Sequence, residues 1–337
     1  LLNLQYVRNL NPGNYFNVYQ NSFNRLETIA INTYPTPSDF LTQNSLGEEI
    51  LEINNADEFI SLVSNDSNFQ FSNPDDFQSV RNIRERKNRL TQDNFILASN
   101  LNLIKDNRES VFDNDFSIFR FKLELAGNLL NTVSDLVGFD KNDNGEFEIN
   151  NVAFSQYAKS EIDYIKLWNL GRNNVIALRT FIGIAIPIGN SNTIPFSKSF
   201  FAGGSNDNRA WTAYNLGPGR SDNNNEFNEA NFKLAFSLEH RYKLFSKLDG
   251  AFFIDAGNIW NVLDDVEDPK AIFNSLKSLN DIAVGSGIGL RYDFDFFILR
   301  FDTGFKTYNP TYPKNQRWLK DFNFSNAVYN IGINYPF

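Results

Sequence analysis

The chain has no cysteine and no methionine, and only one histidine, His240. Without cysteine there is no disulfide and no thiolate chemistry. The histidine stands on the apolar side of an alternating segment, and no nucleophile, base or metal constellation can be built around it. The chain is therefore not expected to be an enzyme, or to hold a metal or other cofactor. Long hydrophobic runs are missing too, since none approaches the about 20 apolar residues of a membrane-spanning helix. Positive charge is in deficit: 31 Lys and Arg against 40 Asp and Glu leave a net charge of −9. That balance argues against nucleic acid, whose phosphates need a basic surface. The chain opens on Leu1 with no visible signal peptide, which reads as a processed or partial chain.

Aromatic residues are plentiful. The sequence holds 34 Phe and 13 Tyr, yet its mean hydropathy is −0.39. A barrel wall reconciles the two, because half its residues face lipid and half face a wet lumen. Successive side chains of a strand point to opposite faces, so such a wall should alternate. From Ser325 to Phe337 it does: Ala327, Tyr329, Ile331, Ile333, Tyr335 and Phe337 oppose Val328, Asn330, Gly332, Asn334 and Pro336. Phe232, Leu234, Phe236, Leu238, His240, Tyr242 and Leu244 oppose Lys233, Ala235, Ser237, Glu239, Arg241 and Lys243. The pattern returns near 95–103, 119–126, 176–186, 285–293 and 297–306, and more weakly near 153–169 and 249–260. About nine strands fit between residue 93 and the end.

A soluble sandwich would also alternate, but with its charges on the outer face and an apolar packed interior. Here the charged face mixes Arg, Lys, Asp and Glu with Gly and Ala, as a lumen requires. Connections alternate as well: those near 106–114, 171–173 and 293–296 are short. Those at 131–150, 189–228, 261–280 and 308–324 are long and rich in Asn, Asp, Gly and Pro. Short turns at one end and long loops at the other are the mark of an outer-membrane barrel. The expected fold is all-β, a transmembrane antiparallel β-barrel lying in outer-membrane lipid over residues 91–337.

Residues 1–90 differ. Phe23, Leu26, Ile29 and Ala30 sit at helical spacing, as do Phe59, Leu62 and Val63. Phe77, Val80 and Ile83 do the same behind Asn73 and Pro74, an N-cap and first-turn pair. This region is expected to be an extracellular loop or helical cap with one strand near its start. Its basic run, Arg81 to Arg89, reads as a solvated helix face or interfacial segment. Nine strands cannot close an even-numbered barrel, so earlier strands are expected upstream.

The 189–228 loop carries Ala202-Gly203-Gly204-Ser205-Asn206-Asp207-Asn208-Arg209-Ala210-Trp211, and Phe253-Ile254-Asp255-Ala256-Gly257 follows downstream. In this order they resemble the BamA/TamA superfamily of outer-membrane assembly and translocation proteins, most closely the lipid-anchored TamA-like barrels of Bacteroidota called TamL. The resemblance covers roughly 93–337. It implies the C-terminal part of a sixteen-stranded barrel, with long extracellular loops and one loop folded into the lumen. It also implies periplasmic POTRA domains upstream. The implied function is to insert or export client outer-membrane proteins through a lateral seam, with a TamB-like or other assembly-complex subunit as partner. The loop motif is Gly203, Gly204, Arg209 and Trp211; the family's usual glycine after the arginine is Ala210 here.

Strand parity places Glu239 and Asp255 on the lumen face, so Arg209 is expected to pair with one or both and pin the loop inside. Asn330, Gly332, Tyr335 and Phe337 match the family's terminal β-signal, on the strand that would border the seam. A BamA-type assembly subunit and a passive porin are the rival functions.

Two further patterns are weaker. Asp140, Asn142, Asn144 and Gly145 begin like a calcium loop, but the twelfth position is Asn151, so a hairpin tip is the better reading. The glycines from Gly285 to Gly289 precede no helix and read as small lumen-side residues rather than a nucleotide loop.

Overall fold

Alternation dictates the architecture. The computed structural model describes residues 2–110, 113–142, 144–221, 228–264, 266, 268–294 and 296–333. Within them one ten-stranded sheet is antiparallel throughout and keeps sequence order. Its strands are β1 (Leu2–Val7), β2 (Asn94–Asp106), β3 (Ser117–Ala126), β4 (Tyr157–Gly171) and β5 (Asn174–Pro187). β6 (Phe232–Phe245), β7 (Leu248–Trp260), β8 (Ala283–Asp293), β9 (Ile298–Tyr308) and β10 (Val328–Ile333) complete it. β3 has 10 residues and β4 has 15, long enough to cross about 30 Å of hydrocarbon at a barrel's tilt. Nine of the ten strands lie beyond residue 93, as the sequence suggested.

The outer face is apolar and exposed, with Phe252, Ile254, Ile288, Leu290, Phe301 and Ile331 among its members. The inner face buries Glu239, Arg241, Asp255, Arg291, Arg300 and Asp302. A soluble sandwich has the opposite arrangement. Thr303 and Phe305 belong to the outer set by parity but are buried. The connection after β9 folds back there, stacking Phe322 on the Phe305 ring at 4.9 Å and setting Phe324 edge-on to it at 5.2 Å.

Strand order makes the connections alternate: 8–93, 127–156, 188–231, 261–282 and 309–327 leave one end, and the four short turns leave the other. The first long connection is the helical cap. α1 (Tyr15–Val18), α2 (Gln20–Asn32), α3 (Ala56–Ser64), α4 (Ser67–Ser72) and α5 (Pro74–Thr91) close around Leu26, Ile29, Phe59, Val63, Phe77 and Val80. Asn73 precedes α5 as expected and accepts the Phe77 N–H on its backbone carbonyl, but its side chain makes no cap. Leu62 turns outward, and Ile60 takes its place in the core.

The basic run on α5 is not a solvated face. Arg86, Lys87 and Arg89 are buried. Lys87 pairs with Asp57 and lies 4.8 Å from the Phe16 ring. Arg89 reaches Glu229 at 3.0 Å and Asp264 at 3.3 Å, in two of the long connections. Burial alone would lower its pKa, but the two carboxylates overcome this and raise it, so the cation is held. Charges so placed need partners, which is why a stretch that looked solvent-facing lies inside an interface.

The 127–156 connection, read as a loop, contains α6 (Asn128–Val137) between the left-handed glycines Gly127 and Gly138. In the 140–151 hairpin, the Asn142 carboxamide oxygen accepts the Asn144 and Glu146 N–H groups. That oxygen is thereby committed to a turn.

Candidate functional site: a loop tip seated on the lumen wall

Register builds a flat grid on the inner face of β6 to β10. Ser237 pairs with Asp255, Asp255 with Gly285 and Gly285 with Lys306. The next inward row runs Glu239, Phe253, Gly287 and Gly304, and the one after it Arg241, Ala251, Gly289, Asp302 and Asn330. Charge therefore frames a channel of glycines along the middle of the wall.

The 188–231 connection descends onto this channel. Its stem is held by β-bridges between Phe200 and Ala230 and between Ala202 and Leu216. At the tip, Gly203 and Gly204 have φ of 89° and 100°, a left-handed conformation that side chains resist. The Gly203 N–H donates to the Asp207 carboxylate at 2.7 Å, and the Gly204 N–H to the Trp211 carbonyl at 2.8 Å. These bonds turn the chain so that Arg209 faces the wall.

Arg209 is 1% exposed. Its Nε and Nη2 donate to the two oxygens of Asp255 at 2.8 and 2.9 Å, and its backbone N–H donates to the same carboxylate at 3.0 Å. Nη1 donates to Glu239, and the guanidinium lies 3.5 Å from the Phe253 ring centre. Bidentate pairing and a ring below fix both the position and the plane of the group. The structure thus brings together Arg209, selected by its loop motif, and Glu239 and Asp255, selected by strand parity.

The sequence reading missed how far the network extends. Glu239 also accepts from Arg241 at 2.8 Å and Arg291 at 3.0 Å, and Arg291 lies 2.6 Å from Asp302. Arg300 approaches Asp302 at 3.5 Å and donates to Asn206 in the tip at 2.5 Å. Asn330 of β10 donates its side-chain N–H to the Arg209 carbonyl at 2.9 Å. Parity had put Arg241, Arg291, Arg300, Asp302 and Asn330 on the inner face. What it cannot supply is which inward charges meet, because that depends on cross-strand register.

Ala210 stands where the family has glycine, and the wall supplies the room instead. A Cβ on Gly285 would lie 2.6 Å from the Ala210 methyl, and one on Gly304 would strike the Arg209 carbonyl. Ala210 is fully buried, and its φ is not among the positive values, so it does not need glycine's freedom. Gly304→Val should therefore unseat the tip. The expected loss is about 1–3 kcal/mol from overpacking, read as a lower unfolding temperature with new protease cleavage within 203–212. Unchanged protection of that segment would contradict the seat.

Trp211 is buried beside Lys306. Gly332 faces inward, where a Cβ would lie 2.5 Å from the Arg300 guanidinium. Tyr335 and Phe337 lie outside the described residues. His240 is on the outer face, 3.2 Å from Asn174 at the edge of a short turn.

An apolar-out, charge-in antiparallel wall with a loop bound to its inner face is that of an outer-membrane β-barrel. The chain belongs to the Omp85 superfamily, whose domain matches residues 13–326. Among solved structures it is similar to BamA from Haemophilus ducreyi lacking POTRA domains 1–3. That match has 16% identity and a TM-score of 0.45, over 72% of this chain and 42% of that one. CdiB from Acinetobacter baumannii matches with 14% identity and a TM-score of 0.31, over 71% and 42%. The chain thus spans less than half the length of either. A search of curated proteins finds no match.

Proposed function

We propose that this chain is the barrel part of an outer-membrane assembly or secretion factor of the TamL kind, inserting or exporting client proteins by a non-enzymatic route. In this reading β10 borders a lateral seam, the client pairs with its free backbone edge, and a TamB-like subunit works with the full-length protein. The long-connection end, with the helical cap, faces the exterior.

One observation carries the proposal: the loop tip seats on the inner face of β6 to β10 and binds β10 through Asn330. A passive porin needs an open lumen and has no use for a buried contact between an inserted loop and its terminal strand. Strand addition at a free sheet edge supplies backbone hydrogen bonds without sequence-specific side chains, which suits many different clients.

Depletion of the full-length protein in its own host should lower the amounts of other outer-membrane barrels or exported surface proteins, and an Arg209→Ala copy should fail to restore them. In planar bilayers the purified protein should give no steady conductance. A steady ohmic pore with undisturbed outer-membrane composition would overturn the assembly reading in favour of the porin.

A further inference from the structure

Helix α6 has its amphipathicity the wrong way round for a surface helix. Two of its polar residues turn toward the protein: Ser134 is buried and bonded to the Asn131 carbonyl, and Asn128 accepts from Gln156 at 3.1 Å, while Thr132 is exposed. Leu129, Val133, Leu136 and Val137 point away, and Leu136 is 89% exposed. These four fall at helical spacing within one stripe. A helix covered by water would present the opposite face.

Its position suggests what covers the stripe. Gly127 follows β3 directly, and its N–H donates to the Leu97 carbonyl of β2 at 2.9 Å. Leu125, just before it, is an exposed member of the lipid-facing set. The helix therefore starts within about 10 Å of the apolar belt, at about 3.3 Å per extended residue. Its 10 residues carry the stripe about 15 Å further at 1.5 Å each. The glycines at both ends, with φ of 74° and 77°, set it sharply off from the strand and the hairpin.

We propose that α6 is an interfacial helix that dips Leu129, Val133, Leu136 and Val137 into the acyl-chain region of the adjoining leaflet, anchoring the barrel rim in lipid. The stripe continues the belt, and burying such a face at the headgroup–acyl boundary is favourable in proportion to its apolar area. The inference does not depend on the assembly reading, and its test needs no client.

These 337 residues hold no cysteine, so a label introduced among them meets no competing thiol there, and any cysteine elsewhere in the full-length protein is first replaced by serine. A single spin label is placed at Leu136→Cys or Val133→Cys in the full-length protein, reconstituted in phosphatidylcholine–phosphatidylglycerol vesicles. Leu46→Cys, exposed in the cap, serves as the control. Labels at 136 and 133 should relax faster with oxygen, which concentrates in acyl chains, than with a water-soluble nickel chelate; the label at 46 should show the reverse. Nickel accessibility at 136 matching that at 46 overturns the proposal. So does protection at 136 from both reagents, which would mean cover by protein.

Discussion

Arg209→Ala is expected to free the loop tip from the lumen wall and to cost about 3–5 kcal/mol, the range for breaking a buried charge pair by removing one partner. Asp255 would lose the one guanidinium it pairs with among the described residues and would stay buried beneath the tip. The change should appear as a lower temperature for loss of the compact folded band on gels, and as protease cleavage between 203 and 212. Arg209→Lys should recover little of it, since an ammonium cannot pair bidentately with Asp255 while also reaching Glu239. Wild-type protection in Arg209→Ala would mean that the stem bridges alone hold the loop.

Glu239→Ala should be at least as damaging, for a different reason. Glu239 is the shared anion of Arg209, Arg241 and Arg291, whereas among the described residues Asp255 pairs with Arg209 alone. Among the described residues the network sets four arginines against three carboxylates, so losing Glu239 doubles the positive excess in a buried place. The expected cost is again about 3–5 kcal/mol, with Asp255→Ala the milder of the two. Glu239→Gln separates charge from shape. It should behave like the alanine variant in thermal unfolding, and wild-type behaviour would show that the carboxylate charge is dispensable.

Much of this was legible in the sequence because a strand has a period of two. Phe232 to Leu244 reveals which side chains face lipid, and with them that Glu239 faces the lumen. Arg209 could be assigned because it stands in the one long loop whose glycines and aromatics resemble a known motif. Register was not legible. Arg291 and Asp302 are both inward-facing, but only the pairing of β8 with β9 brings them together. The helical cap shows the opposite limit. Its helices follow from apolar spacing, yet Arg86 and Arg89 looked solvated because their surroundings come from distant parts of the chain. α6 escaped because an inverted stripe of four apolar residues in an Asn-rich connection carries no signal separating helix from loop.

The clamp at Arg89 also bears on the order in which the molecule is completed. Its partners Glu229 and Asp264 lie 140 and 175 residues further along the chain. Contacts so remote in sequence form only after the intervening chain has been brought together, and closing such loops is slow. A cap emerging between the first two strands of this sheet must therefore wait, with Arg89 holding Glu85 of its own helix but not yet Glu229 or Asp264, until β7 and the connection after it are in place. Its final seating then marks the moment when the wall beneath it has been built.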